Sequence, residues 1–441
     1  MKKILFVLIL IPAFASFNFA QTVIHSGKEG QSLQQRFDGA IKEIQQSKFP
    51  KGAWIGYSIA RLMSENEFIG SFDDSRKHST SLRELITGQK VMESPQQILD
   101  SEKHVREEAK RALEGMEQSD KTEKKVWKEI AVLSKFSAPR ALLMEVDVTE
   151  WTLAFRLENI PLIWLGKSNE EQSISLLQKL YRQGSEEEKE DILSAIGIHT
   201  KSDLVLPALN AVIDSNESED LRKSAVFWLG QTGHPAALNR LLQIVKSDRS
   251  EEVRTSAVFS ISEMRLPGAE QILIDLAKGS RDREVRMEAI FWIGQKEYPN
   301  AGEFLEKIVF EGADLETQKK AIFSLSQMHG DETMNRLIKI AKTHKALEAR
   351  KEAIFWLAER SSKKAVQELS DFAYRSEETE IQKQAVFALS QFSGDDGVKE
   401  LIEIARHHKN PAIRKEAIFW LGQTEHPEAV KAILEVLEKS Q

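Results

Sequence analysis

The chain contains no cysteine in its 441 residues. That absence excludes disulfides, thiolate nucleophiles, cysteine-ligated metals and lipid anchors on cysteine. Basic residues do not predominate: 61 Lys and Arg stand against 68 Asp and Glu, a net charge of −7 at pH 7. An acidic balance of this kind gives no electrostatic footprint for nucleic acid. The constellations of catalysis are missing as well. The ten histidines are scattered, and no His-Glu-x-x-His and no phosphate-binding glycine loop occur. The stretch Gly56-Tyr57-Ser58-Ile59-Ala60 lacks the closing glycine of a nucleophile elbow and reads as strand. Acidic clusters such as Glu186, Glu187 and Glu188 read as helix caps rather than as a metal site. No cofactor is expected.

What is present is periodic. A seven-residue phrase starts at Ala225, Ala257, Ala289, Ala321, Ala353, Ala385 and Ala417, an interval of 32 residues without interruption. It reads AVFWLGQ, AVFSISE, AIFWIGQ, AIFSLSQ, AIFWLAE, AVFALSQ and AIFWLGQ. A fixed period of this length marks a solenoid, in which each unit buries its apolar face only against its neighbours. Each unit reads as two helices. The first begins at a polar or proline cap, with Pro235, Pro267, Pro299 and Pro427 at one repeat position. It carries apolar residues such as Leu238, Leu241 and Val245, or Met334, Leu337 and Ala341, at helical spacing. An acidic turn caps the second helix, which opens apolar-Arg (Leu221-Arg222, Val253-Arg254, Val285-Arg286, Ile413-Arg414) and carries the phrase.

The pattern apolar-Arg-x-x-Ala-[IV]-x-x-[LI]-[GSA] resembles HEAT repeats, specifically the short type named after phycobilisome lyases, over residues 169–441. The resemblance implies a mainly α fold, a right-handed α-α superhelix, and is poor in functional content because HEAT arrays serve many roles. The His-Glu dipeptides of the iron-binding HEAT-like hydroxylases are absent. Eight helix pairs are expected, then a lone capping helix near residues 427–439 with Val430, Ile433, Leu434 and Leu437 inward. Ile163-Trp164-Leu165-Gly166 echoes the phrase, so residues 161–166 read as a worn half-unit.

Two rows of the phrase are candidate functional residues. Its third position is always phenylalanine: Phe227, Phe259, Phe291, Phe323, Phe355, Phe387 and Phe419. In the resembling family this position is usually polar and faces the concave surface. Either the rings form an apolar strip that takes a partner, or they tuck between units and stay buried. Its last position carries Gln231, Gln295, Gln327, Gln391 and Gln423, with Glu263 and Glu359, which bond a partner or link adjacent units. The fourth position alternates: Trp228, Ser260, Trp292, Ser324, Trp356, Ala388 and Trp420. Large beside small reads as inter-unit packing. The arginines read as an inter-repeat ion-pair ladder.

The domain reading is therefore a signal peptide over 1–20, an α+β domain of no recognised family over 21–160, and a solenoid over 161–441. The signal peptide rests on Lys2-Lys3 followed by the apolar run to Ala15. It predicts export to periplasm or medium with no stable membrane insertion after cleavage. In the α+β domain, Leu33, Phe37, Ile41 and Ile44 mark a helix, residues 95–116 a charged helix, and 53–61, 143–149 and 153–157 strands. The functional expectation is a non-enzymatic scaffold that binds protein or peptide along the concave face. The alternative places a hydrolase, ligand-binding or envelope-signalling activity in residues 21–160, with polar groups gathered near Trp54, Tyr57 and His78.

Overall fold

The structure, a computed structural model, describes residues 23–26, 30–70 except 47 and 66, 81–88, and 124–438 except 154, 313, 361, 393–394 and 425. The leader over 1–20, the helix expected over 95–116 and His78 lie outside these residues. The chain divides into two compact units, Met1–Thr232 and Gly233–Gln441.

The first unit is built on a five-stranded sheet in the order β1-β5-β2-β3-β4. Its strands are β1 (Val23–His25), β2 (Ala53–Ser64), β3 (Lys125–Phe136), β4 (Leu143–Glu150) and β5 (Leu162–Lys167). β5 runs parallel to both β1 and β2, whereas β2, β3 and β4 form an antiparallel meander. Alternation along β2 sends Trp54 to one face, where it packs with Leu82, Leu133, Phe155, Leu162 and Trp164 beneath the short helix α2 (Leu82–Thr87). The other face receives α1 (Leu33–Gln45), whose Phe37 meets Phe136 edge-on at 5.6 Å. Two expectations fail here. Residues 162–167 are a central strand and not a worn helical unit, because Trp164 is needed under α2 and β5 bridges two parallel neighbours. Of the residues expected as a strand over 153–157, the described ones (153 and 155–157) form none, although Phe155 and Leu157 are buried in the same core.

Two helix pairs complete this unit: α3 (Glu170–Tyr181) with α4 (Glu186–Gly197), and α5 (Ser202–Ile213) with α6 (Glu219–Gln231). α4 lies along the edge strand β4, where Asp191 accepts a hydrogen bond from the Val146 amide at 3.2 Å. The open strand edge is thereby covered.

The second unit holds six further pairs. They are α7 (Pro235–Ser247) with α8 (Glu251–Glu263), α9 (Ala269–Gly279) with α10 (Arg283–Lys296), α11 (Ala301–Glu311) with α12 (Leu315–Gln327), α13 (Asp331–Thr343) with α14 (Leu347–Ala358), α15 (Lys363–Arg375) with α16 (Thr379–Gln391), and α17 (Asp395–His407) with α18 (Pro411–Gly422). A last helix, α19 (Pro427–Glu438), follows. Within each copy of the phrase the first residue, always alanine, is fully buried, as are Val258, Ile290, Ile322, Ile354 and Val386 beside it. Successive second helices pack side by side. Gly294 shows how closely: a Cβ there would lie 2.9 Å from the Ser324 Cβ. α19 departs from expectation. It buries Ala429 and Ala432, whose small side chains let it approach its neighbours, and leaves Val430 and Leu434 each 56% exposed.

Candidate partner-binding face

The residue that opens each second helix does more than pair with acid. Arg222 donates from Nε to the Ile213 carbonyl at 2.8 Å, and Arg350 to that of Ala341 at 3.1 Å. Arg254, Arg286 and Arg414 likewise bond carbonyls just beyond the preceding first helix. Where the position is glutamine, Gln318 and Gln382 do the same at 2.9 and 2.8 Å. These carbonyls have no intrahelical partner, so the side chain ties the two helices of a pair together. Three of the arginines also reach the cap of the next second helix: Arg254 to Asp282 at 2.7 Å, Arg286 to Asp314 at 3.6 Å and Arg350 to Glu378 at 2.7 Å. Burial disfavours the Asp282 carboxylate, but Arg254 and the amides of Val285 and Glu284 outweigh it and hold the pKa below the usual range. Part of the loop edge is thus structural.

The opposite edge of the phrase is different. The phenylalanines are neither buried nor fully exposed; Phe259, Phe291, Phe323, Phe355 and Phe387 are all half-buried, and Phe419 is 55% exposed. In the second unit they form a continuous row with the tryptophans. Phe259 meets Trp292 at 4.7 Å and Trp292 meets Phe291 at 5.0 Å. Phe291 stacks on Phe323 at 6.1 Å and 8°. The sequence then repeats: Phe323 to Trp356 at 5.1 Å, Trp356 to Phe355 at 5.0 Å, and Phe355 stacked on Phe387 at 6.2 Å and 13°. Phe387 meets Trp420 at 4.9 Å, and Trp420 meets Phe419 at 5.0 Å. In the first unit Phe227 meets Trp228 edge-on at 5.3 Å.

The tryptophans of the second unit are inter-repeat packing devices, but on the surface: Trp292, Trp356 and Trp420 remain partly exposed and pave the row between phenylalanines. Each indole donates to the glutamate one turn earlier in its own helix. Trp292 Nε1 bonds Glu288 at 2.5 Å, Trp356 bonds Glu352 at 2.8 Å, and Trp420 bonds Glu416 at 3.0 Å. The i, i+4 spacing of Glu and Trp carries this feature in the sequence. It satisfies the only polar atom of a ring that is otherwise apolar.

The glutamines line the row. Gln231, Gln295, Gln327, Gln391 and Gln423 are all exposed, and Gln327 and Gln391 donate to the serine next to them, each at 3.1 Å. The acidic members differ: Glu263 accepts from Lys296 of the following copy at 2.5 Å. An aromatic row with amides alongside is a surface that binds apolar and backbone groups together.

Residues 206–291 match the family model of HEAT repeats, and residues 413–439 match that of the PBS lyase HEAT-like repeat. The helical part of this chain is a HEAT-like solenoid, with HEAT-type repeats matched over those two segments. Among solved structures, the chain is similar to human deoxyhypusine hydroxylase at 17% identity, covering 58% of this chain and 97% of that one, with a TM-score of 0.26. It is similar to the CpcE–CpcF complex of phycocyanin lyase from Nostoc at 19% identity, with coverage of 53% and 92% and a TM-score of 0.25. Kap95p, solved with RanGDP, shares 11% identity over 60% of this chain and 44% of its own, with a TM-score of 0.35. No curated protein matches. Each likeness bears on neither activity nor partner.

The HEAT array meets the sheet through a polar cluster that the sequence did not reveal. In the first unit the Ser173 hydroxyl of α3 is hydrogen-bonded to Tyr57 Oη and to His199 Nε2, both at 2.8 Å; with His199 Nδ1 facing a carbonyl, Nε2 accepts from Ser173. All three residues are buried. Burial lowers the His199 pKa to about 4 and raises that of Tyr57 above its ordinary value. Tyr57, Ser173 and His199 resemble a catalytic set in composition, but each is less than 5% exposed. A second missed feature lies in the array itself. His344 Nε2 bonds the Val309 carbonyl and His408 Nε2 that of Ala373, each at 3.0 Å. Their Nδ1 atoms accept from the amides of Ala346 and Asn410, each at 3.1 Å. Each histidine clasps one pair to the pair before it. Among the described residues, no helix is long and apolar enough to cross a membrane.

Proposed function

We propose that the protein is a non-enzymatic HEAT scaffold, exported from the cytoplasm, that holds a protein or peptide along the Phe–Trp row. The observation that carries this reading is the row itself. Five half-buried phenylalanines and three tryptophans run unbroken across six successive second helices. Close packing alone needs no bulky ring at a position turned to the surface, and an apolar strip of this length is a liability unless something covers it. Many weak contacts along one strip suit an extended partner, with the exposed glutamines available for its backbone. The apolar leader and the lack of cysteine agree with life outside the cytoplasm. The sealed position of Tyr57, Ser173 and His199 disfavours a hydrolase in the sheet region.

The test compares the mature protein with a Phe291→Ser/Phe355→Ser variant as bait in envelope extract, after both are matched for helicity. Loss of a specific partner from the folded variant supports the scaffold reading. A partner retained by the variant, or captured by the chain only through residues 21–168, overturns it.

A further inference from the structure

The two stacked phenylalanine pairs share their ring geometry and their Glu–Trp neighbour, and they differ in the residue set over the rings. At the first pair, the Lys320 ammonium stands 4.5 Å from the centre of the Phe291 ring and 5.4 Å from that of Phe323. The array thus shows what such a pair accepts: a cation over the faces of two near-parallel rings. Sixty-four residues on, Phe355 and Phe387 are stacked in nearly the same way, at 6.2 Å and 13° against 6.1 Å and 8°. Glu352 and Trp356 repeat Glu288 and Trp292, with the same indole-to-carboxylate bond. The position of Lys320 is taken by Gln384, which carries no charge. Among the described residues no cation stands over either ring of this second pair. The lysines nearest in sequence are engaged elsewhere, Lys351 with Glu348 at 3.3 Å and Lys383 with Glu380 at 3.0 Å.

We propose that Phe355 and Phe387 form a seat for one arginine or lysine side chain of the bound protein segment, filling the place that Lys320 fills at the pair before. The charge argument has three parts. The ring faces are electron-rich, Glu352 leaves carboxylate lone pairs beside them, and the chain as a whole carries −7. A neutral or acidic side chain gains none of these. Arginine suits the seat better than lysine because its planar, weakly hydrated guanidinium lies flat on a ring. The inference deepens the scaffold reading and rests on it, since it names the chemistry of one contact on the same face.

The experiment uses the full chain labelled with 4-fluorophenylalanine, with the Phe355 and Phe387 signals assigned by substitution, titrated with N-acetyl-arginine amide. The expected result is a saturable shift of both signals at millimolar probe, with the neutral citrulline analogue binding about two- to five-fold more weakly. Gln384→Lys, which places the protein's own ammonium over the rings, should abolish the response. Lys320→Gln should open a second responsive pair at Phe291 and Phe323. Equal shifts with arginine and citrulline, or a Gln384→Lys chain that responds as the parent does, overturn the proposal. Should Gln384→Lys fold poorly, an unresponsive Phe291–Phe323 pair in Lys320→Gln overturns it alone. A partner captured equally by parent and Gln384→Lys sinks the seat while leaving the scaffold standing; one indifferent to Phe291→Ser/Phe355→Ser sinks the scaffold instead.

Discussion

At the scale of single residues, burial and partner decide what each polar group can do, and neither can be read from residue type. His199 is the clearest case. Its Nδ1 faces the Ile196 carbonyl at 3.2 Å and its Nε2 the Ser173 hydroxyl, in a site where burial disfavours the imidazolium. The Glu170 carboxylate favours the charged form and the Arg61 guanidinium opposes it, but desolvation dominates. With a folded pKa of about 4 against 6.5 in the free residue, the native state binds fewer protons between those values. Stability from this group is therefore complete above pH 6.5 and lost as pH falls through 4, by on the order of 3 kcal/mol. Thermal midpoints measured from pH 7 to pH 4 should fall, and His199→Gln should flatten that slope while lowering the midpoint at pH 7. An equal slope in both proteins would show that other groups govern the acid response. The sequence offered Tyr57 as a strand residue near a possible pocket and gave no hint of Ser173 or His199. The three meet only because Ser173 of α3 reaches both Tyr57 on β2 and His199 in the turn after α4, over separations of 116 and 26 residues.

At the scale of the element, the 32-residue period made the helix pairs legible, and the phrase foretold which positions are buried. It failed where one helical pattern stood in for another structure. Trp164 sits in a phrase-like string, yet an apolar run of that length serves a buried parallel strand equally well. The alternation of large and small side chains was legible as packing, but its place was not: Trp292 lies on the surface row rather than in the core. The small sixth position of the phrase is a sharper test of how elements pack. A Cβ on Gly294 would stand 2.8 Å from the Ser324 carbonyl oxygen, whereas one on Gly422, in the same repeat position, would meet nothing within 4 Å. Gly294→Ala should cost about 1–3 kcal/mol in urea unfolding, through forced separation of α10 and α12. Gly422→Ala should be neutral or stabilise by up to about 0.5 kcal/mol, because alanine is the better helix former and the added Cβ meets open space. A matching loss at both positions would mean that backbone conformation, not the neighbouring helix, sets the requirement.

At the scale of the whole molecule, the extensive contacts among the array's described residues join neighbouring helices, so its stability is a chain of local terms. Alanines buried in every copy supply the vertical seam, the Arg, Gln and His clasps supply the links between helices, and the aromatic row supplies a surface common to all copies of the second unit. The sheet of the first unit is organised otherwise, through strands paired over long separations such as Trp54 with Leu162 and Ala53 with Phe136. Such pairing is cooperative across the whole sheet, whereas a repeat array can open in one place. Hydrogen exchange of the Gly294→Ala chain should expose this difference. Amides of α10, α12 and the first helices packed on them should lose protection, about ten-fold for each 1.4 kcal/mol of local destabilisation. Those of β2 and β3 should keep their parent rates. Protection lost evenly over sheet and helices would mean that the chain unfolds as one cooperative body, and a binding surface that yields locally to its partner could not then be built from this array.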